Sequence, residues 1–161
     1  MLEPIVQQTL NKYDIQHEAV ACSEELADTA RFCEHYGYSL EISANALLIG
    51  STKGEPKFAL CLVLAHCRLD TNKVARKKLE VRRLSFATPE QTKDITGMKL
   101  GGVTPIGVPL SLPVWIDGRV MQCGEIILGG GNRISKLVLP PDQLLKLPNA
   151  EVVEHLALVK S

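Results

Sequence analysis

The sequence carries no excess charge of either sign: eighteen lysines and arginines meet eighteen aspartates and glutamates. A balanced chain has no global field to hold a polyanion, so nucleic-acid binding would need a local patch. Long hydrophobic runs are also missing. The longest, Phe58 to Ala65, has eight residues, far short of the roughly 20 that a membrane helix needs. No membrane partner is expected. The opening stretch MLEPIVQQTL lacks a basic segment followed by an apolar one, so no secretory signal is legible. The five cysteines, Cys22, Cys33, Cys61, Cys67 and Cys123, contain no C-x-x-C pair and are odd in number. Free thiols and a cytoplasmic location are the expectation. Low-complexity segments and internal repeats are absent.

What is present is the composition of a globular protein. Of 161 residues, 45% are hydrophobic and 22% charged. That length is one domain, expected to span 1–161, and it is long enough to bury a core. Leu2, Ile5, Val6, Thr9 and Leu10 fall at helical spacing. Ile15 to Val20 reads as a strand. Ser23 is the expected N-cap of a helix whose apolar face is Leu26, Ala30 and Cys33, with Gly37 as its stop. Ala44 to Gly50 and Lys57 to Ala65 read as a hairpin around the turn 51–56, the second strand apolar on both faces and so central in its sheet.

A helix is expected from Asp70 or Thr71 to Glu80, then a short strand from Val81 to Phe86. Thr88-Pro89-Glu90-Gln91 has the form of a capping box, and Gly97 ends the helix that it starts. Met98 to Pro113 is irregular and rich in glycine and proline, a length that in compact domains is usually functional or disordered. Strands follow at Val114 to Asp117, Glu125 to Leu128 and Ser135 to Leu139, with a tight turn at Gly129-Gly130-Gly131-Asn132. Pro140-Pro141-Asp142 opens a last helix with Leu144, Leu145 and Leu147. Strands and helices mix without βαβ alternation. The expected fold is α+β, a single domain with a mixed, curved, barrel-like sheet flanked by helices.

Two glycine segments stand out. GGVTPIG, Gly101 to Gly107, contains G-x-x-x-P from Gly101 to Pro105, and GGGNRISKLVLPP runs from Gly129 to Pro141. Between them lies PVWID. Upstream are ANALLIG, FALCLVLAHCRLDTNKV and ATPEQTKDITG. In this order and spacing the elements resemble the YbaK family, the editing domain associated with prolyl-tRNA synthetase, over residues 20–148. The resemblance implies a deacylase that acts in trans on mischarged aminoacyl-tRNA. It cleaves the ester between a small amino acid such as Ala, Ser or Cys and the terminal ribose of tRNA(Pro) or a related tRNA. It uses no metal and no organic cofactor. The implied partners are aminoacyl-tRNA and, beyond it, an aminoacyl-tRNA synthetase.

Ester hydrolysis needs a placed water, donors for the oxyanion and a proton acceptor. Backbone N–H groups of Gly101 and Gly102 suit the oxyanion, since no side chain blocks approach. Pro105 stiffens the loop, and Thr104 is placed to hold a water or a ribose hydroxyl. The loop offers no general base; in the family the substrate's own 2′-hydroxyl is thought to help activate the water. Gly129, Gly130 and Gly131 let the chain pass close to substrate or to the loop 101–107, and Arg133 and Lys136 are expected at phosphate. The family's strand carries a lysine in a K-T-L-V-like pattern. Aligning Leu47-Leu48-Ile49 with it puts Asn45 in that place. An amide carries no charge and does not replace a cation at a phosphate. The alternative to a deacylase is therefore an inactive module of this type that binds tRNA, a nucleotide or a small amino-acid-like ligand. A protein-interaction module is a third class.

Each of these residues has a plainer reading: loop glycines, an ion-paired Arg133, a solvent-facing Asn45. The segment Arg76-Lys77-Lys78-Leu79-Glu80-Val81-Arg82-Arg83 holds five basic residues and one acid. Arg76, Lys77, Lys78 and Arg82 are expected at tRNA phosphates, against the plainer reading of a solvated face. No aromatic interleaves them, so base stacking is not supported. Cys61, His66 and Cys67 lack a second ligand pair and make no metal set.

Overall fold

In the computed structural model, which describes residues 2–160, the first helix is α1 (Pro4–Lys12). Pro4 brings a helical φ and no N–H to be left unpaired in the first turn. Val6 and Leu10 bury one face. The strand expected at 15–20 starts later, as β1 (Glu18–Ala21). Asp14 takes a positive φ of 50°, and the Ile15 N–H returns to the Leu10 carbonyl at 2.9 Å. Ile15 therefore closes the helix and enters the core.

The helix expected from Ser23 divides in two. Ser23 starts only a 3-10 turn, Glu24–Leu26. Asp28 then goes extended (φ −63°, ψ 136°), and α2 (Thr29–Tyr36) begins after it. Gly37 ends α2 as expected, with φ 81° and its N–H on the Cys33 carbonyl. The hairpin is β2 (Ala44–Ser51) and β3 (Phe58–Leu64), antiparallel from Ala44 opposite Leu64 to Gly50 opposite Phe58. Next come β4 (Cys67–Leu69), α3 (Val74–Leu79), β5 (Leu84–Phe86) and α4 (Pro89–Thr96). Thr88 closes the expected capping box on α4: the Gln91 N–H donates to its hydroxyl at 3.1 Å, and its own N–H donates to the Gln91 side chain at 2.9 Å.

The later strands are β6 (Val114–Asp117), β7 (Ile126–Gly129) and β8 (Ser135–Leu139). The last expected helix is a 3-10 helix, Pro141–Lys146. Two short strands that the sequence pattern did not signal, β9 (Ala150–Val153) and β10 (Ala157–Val159), complete the chain.

The fold is α+β. A five-stranded mixed sheet has the order β5-β2-β3-β6-β9, with β3 central as expected. β3 pairs with β6, and β6 with β9, in parallel. A three-stranded sheet, β1-β8-β7, and a two-stranded one, β10-β4, stand beside it. The strands thus make three sheets and not one continuous hydrogen-bonded barrel among the described residues. A single bridge, Ser43 with Ile127, joins the start of β2 to β7. That bridge places β2, β7 and β8 around one cleft.

The irregular stretch 98–113 is neither lid nor coil. Met98, Val103, Thr104, Ile106, Val108 and Leu112 are all buried. Apolar burial along this stretch holds it in place without regular secondary structure. All five cysteines are free thiols, and Cys61 lies fully inside the core, as expected. No helix is long and apolar enough to cross a membrane among the described residues.

Candidate functional site

The cleft lies between the start of α2, the first half of β2, the segment 100–103 and the ends of β7 and β8. Asp28, Thr29, Phe32, Asn45, Leu47, Gly101, Val103, Gly129 and Lys136 are among its walls, and its volume is about 170 Å³. Three residues expected at a site from separate parts of the sequence, Asn45, Gly101 and Gly129, meet here.

The two glycine segments are pressed together. The Gly131 N–H donates to the Gly102 carbonyl at 2.8 Å. A Cβ on Gly102 would stand 2.5 Å from the carbonyl of Asn132, and one on Gly129 would run into the carbonyl of Val103. Close backbone approach is thus what these glycines serve, against the loop and not against open space. Gly130 packs on Ser135, and Gly131 on Val6 and Glu3; neither lines the cleft, so the substrate contacts expected of them have no geometry here.

Several expected roles shift. The Gly102 N–H is committed to the Lys99 carbonyl at 3.0 Å, so it is no free oxyanion donor. The Gly101 N–H donates to no protein acceptor among the described residues. Thr104 is fully buried away from the cleft, its hydroxyl unpartnered and its N–H on the Met98 sulfur at 3.4 Å. It is not placed to hold a water at the ester. Pro105 lines a separate groove with Ile5, Thr9 and Tyr13.

Arg133 braces the wall instead of facing the ligand space. Its guanidinium donates to the Asp28 carboxylate at 3.3 Å, the Leu100 carbonyl at 3.0 Å and the Glu24 carbonyl at 3.1 Å. It ties the extended break before α2 to the glycine loop. A Cβ on Gly101 would run into this guanidinium.

Asn45 is half-buried in the cleft wall. Its Oδ1 accepts from the Thr29 hydroxyl at 2.5 Å, and its Nδ2 donates to no protein group among the described residues. Lys136, expected at phosphate, lies inside. It is 7% exposed. Its Nζ donates to the Ala27 carbonyl at 2.7 Å and lies 3.5 Å from that of Gly101 and 5.4 Å from the centre of the Phe32 ring. Burial pushes its pKa below the usual lysine value. Cys22 opposes that shift, the Arg133 charge reinforces it, and Asp28 and Cys33 oppose it. Asp28, Thr29 and Phe32 went unnoticed in the sequence, although Asp28-Thr29 is itself a legible helix start.

The basic segment is remote from the cleft. It lies by the Ser51 end of β2, where Leu84 pairs with Ser51 and the Thr52 N–H donates to Arg83. Asn45 is at the other end of the strand, about 20 Å away at roughly 3.3 Å per residue. Arg76, Arg82 and Arg83 line a groove with Lys53. Lys77 is exposed. Lys78 is turned elsewhere, pairing with Glu151 at 3.2 Å beside the Trp115 ring.

Residues 23–147 match the family model of the aminoacyl-tRNA editing domain, and the chain belongs to that family. Among solved structures it is similar to a protein described as a proposed trans-editing enzyme for prolyl-tRNA synthetase. The identity is 26%, the TM-score 0.80, and the match covers 96% of this chain and 98% of that one. A hypothetical protein shares the fold at 17% identity and a TM-score of 0.84, over 96% of this chain and 99% of its own. A protein from Marinobacter aquaeolei described as a proposed signal transduction protein has the same fold within a longer chain. There the identity is 16% and the TM-score 0.67, over 98% of this chain and 31% of that one.

Proposed function

We propose that this protein is an aminoacyl-tRNA deacylase acting in trans, hydrolysing the ester of a tRNA mischarged with a small amino acid. The observation that carries the reading is the convergence of Asn45, Gly101 and Gly129 on one cleft. A volume of about 170 Å³ suits a small side chain and its ester and leaves little room for a large one. Discrimination by volume alone is modest, about 1–3 kcal/mol per methylene. The family match and the likeness to a proposed prolyl-tRNA synthetase trans-editing enzyme support Ala, Ser or Cys on tRNA(Pro) as the substrates to try first.

In the reaction, water adds to the ester carbonyl carbon and the carbonyl oxygen takes up negative charge. The bond to the ribose oxygen then breaks, and that oxygen leaves with a proton. The Gly101 N–H is the backbone donor available to the oxyanion. The substrate's 2′-hydroxyl, as in the family, helps to activate the water. The Asn45 Nδ2 is free to hold the sugar or the amino acid. The grooved basic surface at Arg76, Arg82 and Arg83 receives tRNA phosphates. The single domain 1–161 works in a reducing compartment, where its free thiols persist.

A second reading rests on Asn45, whose carbonyl is spent on Thr29. On this reading the cleft binds aminoacyl-tRNA or a smaller ligand without turnover. Deacylation of a panel of mischarged tRNAs decides, with Ala-tRNA(Pro) and Ser-tRNA(Pro) included and Gly101→Ala beside the wild type. Gly101 has φ +89° and the Arg133 guanidinium against it, so the variant disturbs the loop and turnover falls at least tenfold. Binding of charged tRNA with no turnover on any substrate would favour the second reading.

A further inference from the structure

Lys136 is the one buried lysine or arginine among the described residues. Among the described residues no carboxylate lies within ion-pair distance of it, and Asp28, the acid on the same wall, is held by Arg133 at 3.3 Å. Its short contact is a neutral carbonyl, Ala27, with that of Gly101 farther off. Burying an ammonium without a counter-charge is costly. A strand such as Ser-Lys-Leu-Val-Leu, buried at every position, has no packing need for one. Asp28 compensates it only in part, and a negative charge entering the cleft would complete the compensation.

We propose that Lys136 is the cation of this site and that its ammonium holds the negative charge developing on the ester carbonyl oxygen of a bound aminoacyl-tRNA. The inference rests on the deacylase reading above and adds the charged half of the oxyanion site. The Gly101 N–H is the neutral half. Lys136 and Gly101 are neighbours, with Nζ 3.5 Å from the Gly101 carbonyl. The ester, and not a backbone phosphate, is its target because Lys136 is buried inside a cleft of about 170 Å³, with no room for a phosphodiester beside the aminoacyl group. Charge is thereby delivered from β8 to a site whose β2 strand carries the neutral Asn45. As water adds to the carbonyl carbon, its π electrons move to the oxygen that Lys136 faces. As the tetrahedral species collapses they return, the ribose oxygen leaves with a proton, and free amino acid and tRNA result.

The test is single-turnover deacylation of Ala-tRNA(Pro) or Ser-tRNA(Pro), whichever the wild type hydrolyses, with Lys136→Met and Lys136→Arg. Lys136→Met is expected to lower the maximal rate by about 10²-fold or more, with half-saturation changed less than threefold. The rate–pH profile is a readout that a merely structural lysine would not move. The groups facing Lys136 are Cys22, Arg133, Asp28 and Cys33, and burial is the largest influence on it. The wild-type rate, corrected for uncatalysed hydrolysis, should fall on the alkaline side below pH 10.5. An arginine stays charged there, so Lys136→Arg should lack that limb. A Met variant within twofold of wild type overturns the proposal, as does an identical alkaline limb in wild type and Lys136→Arg. Should the Met variant not fold, the pH comparison decides alone. A wild type without turnover sinks the deacylase reading itself; an active wild type matched by Lys136→Met sinks only this inference.

Discussion

At the scale of single residues, Lys136 shows how burial trades against charge. Its pKa is lowered mainly by burial, so between that lowered value and 10.5 the unfolded chain binds the proton that the folded chain has released. Where the unfolded state binds more protons, stability rises with pH. Lys136 therefore weakens the fold at neutral pH, and the penalty is relieved as pH climbs through the lowered value toward 10.5. Denaturant unfolding of wild type and Lys136→Met across that window should show the gap moving steadily in the wild type's favour. A gap independent of pH would mean that Lys136 is not a buried charge in solution. The residue was plain in the sequence and was expected at a phosphate; its burial was not legible there. The run Ser135 to Leu139 is buried on both faces, and no alternation reveals which way its one charged side chain points. Asn45 was easier to place, since the flanking apolar run marked its strand.

At the scale of elements, the site depends on two irregular segments held backbone to backbone. Alanine at Gly102 would put a methyl 2.5 Å from the Asn132 carbonyl. A carbonyl of the main chain does not swing aside as a side chain does, so the segments must part and the Gly131–Gly102 hydrogen bond must lengthen. Overpacking of this kind costs about 1–3 kcal/mol, and Gly102→Ala should lose that much stability in urea unfolding together with most of its turnover. Gly124 has open space around it, so Gly124→Ala should be neutral or up to about 1 kcal/mol more stable. Equal effects at the two positions would refute the close-approach account. The glycine motifs were visible in the sequence, but their partner was not: substrate and loop were equally open until the contact of 102 with 131 was seen. The start of α2 misled for a related reason. Ser23 and Asp28 both have N-cap chemistry and both are extended, and only the structure shows that the turn after Ser23 stops at Leu26 while the long helix begins after Asp28.

At the scale of the whole molecule, strong local signals carried most of the architecture: the hairpin around 51–56, the capping box at Thr88, the buried central strand. The strands β4, β9 and β10 escaped: each has only three or four residues, too few to show a period, and none was bounded by the turn signals that marked β6 and β7. What no local signal shows is the distance between the cleft at Asn45 and the basic groove at Arg82, about 20 Å along one strand. A few extended nucleotides would span that gap, so on the proposed reading a tRNA whose 3′ end enters the cleft would bring its stem phosphates to the groove. Lys53, Arg76, Arg82 and Arg83 line it, and none of them is ion-paired among the described residues. With no net charge on the chain, this local cluster has to supply the electrostatic affinity. Replacing Lys53, Arg82 and Arg83 by Gln should therefore weaken tRNA binding most at low salt. The slope of log K against log salt should become shallower by about 2–3, near one unit per lost phosphate contact. The loss should appear in half-saturation and not in the rate at saturating tRNA, because the proposed site of cleavage lies at the far end of β2. An unchanged salt slope would mean that the stem lies elsewhere, and that this charge run is only a solvated face.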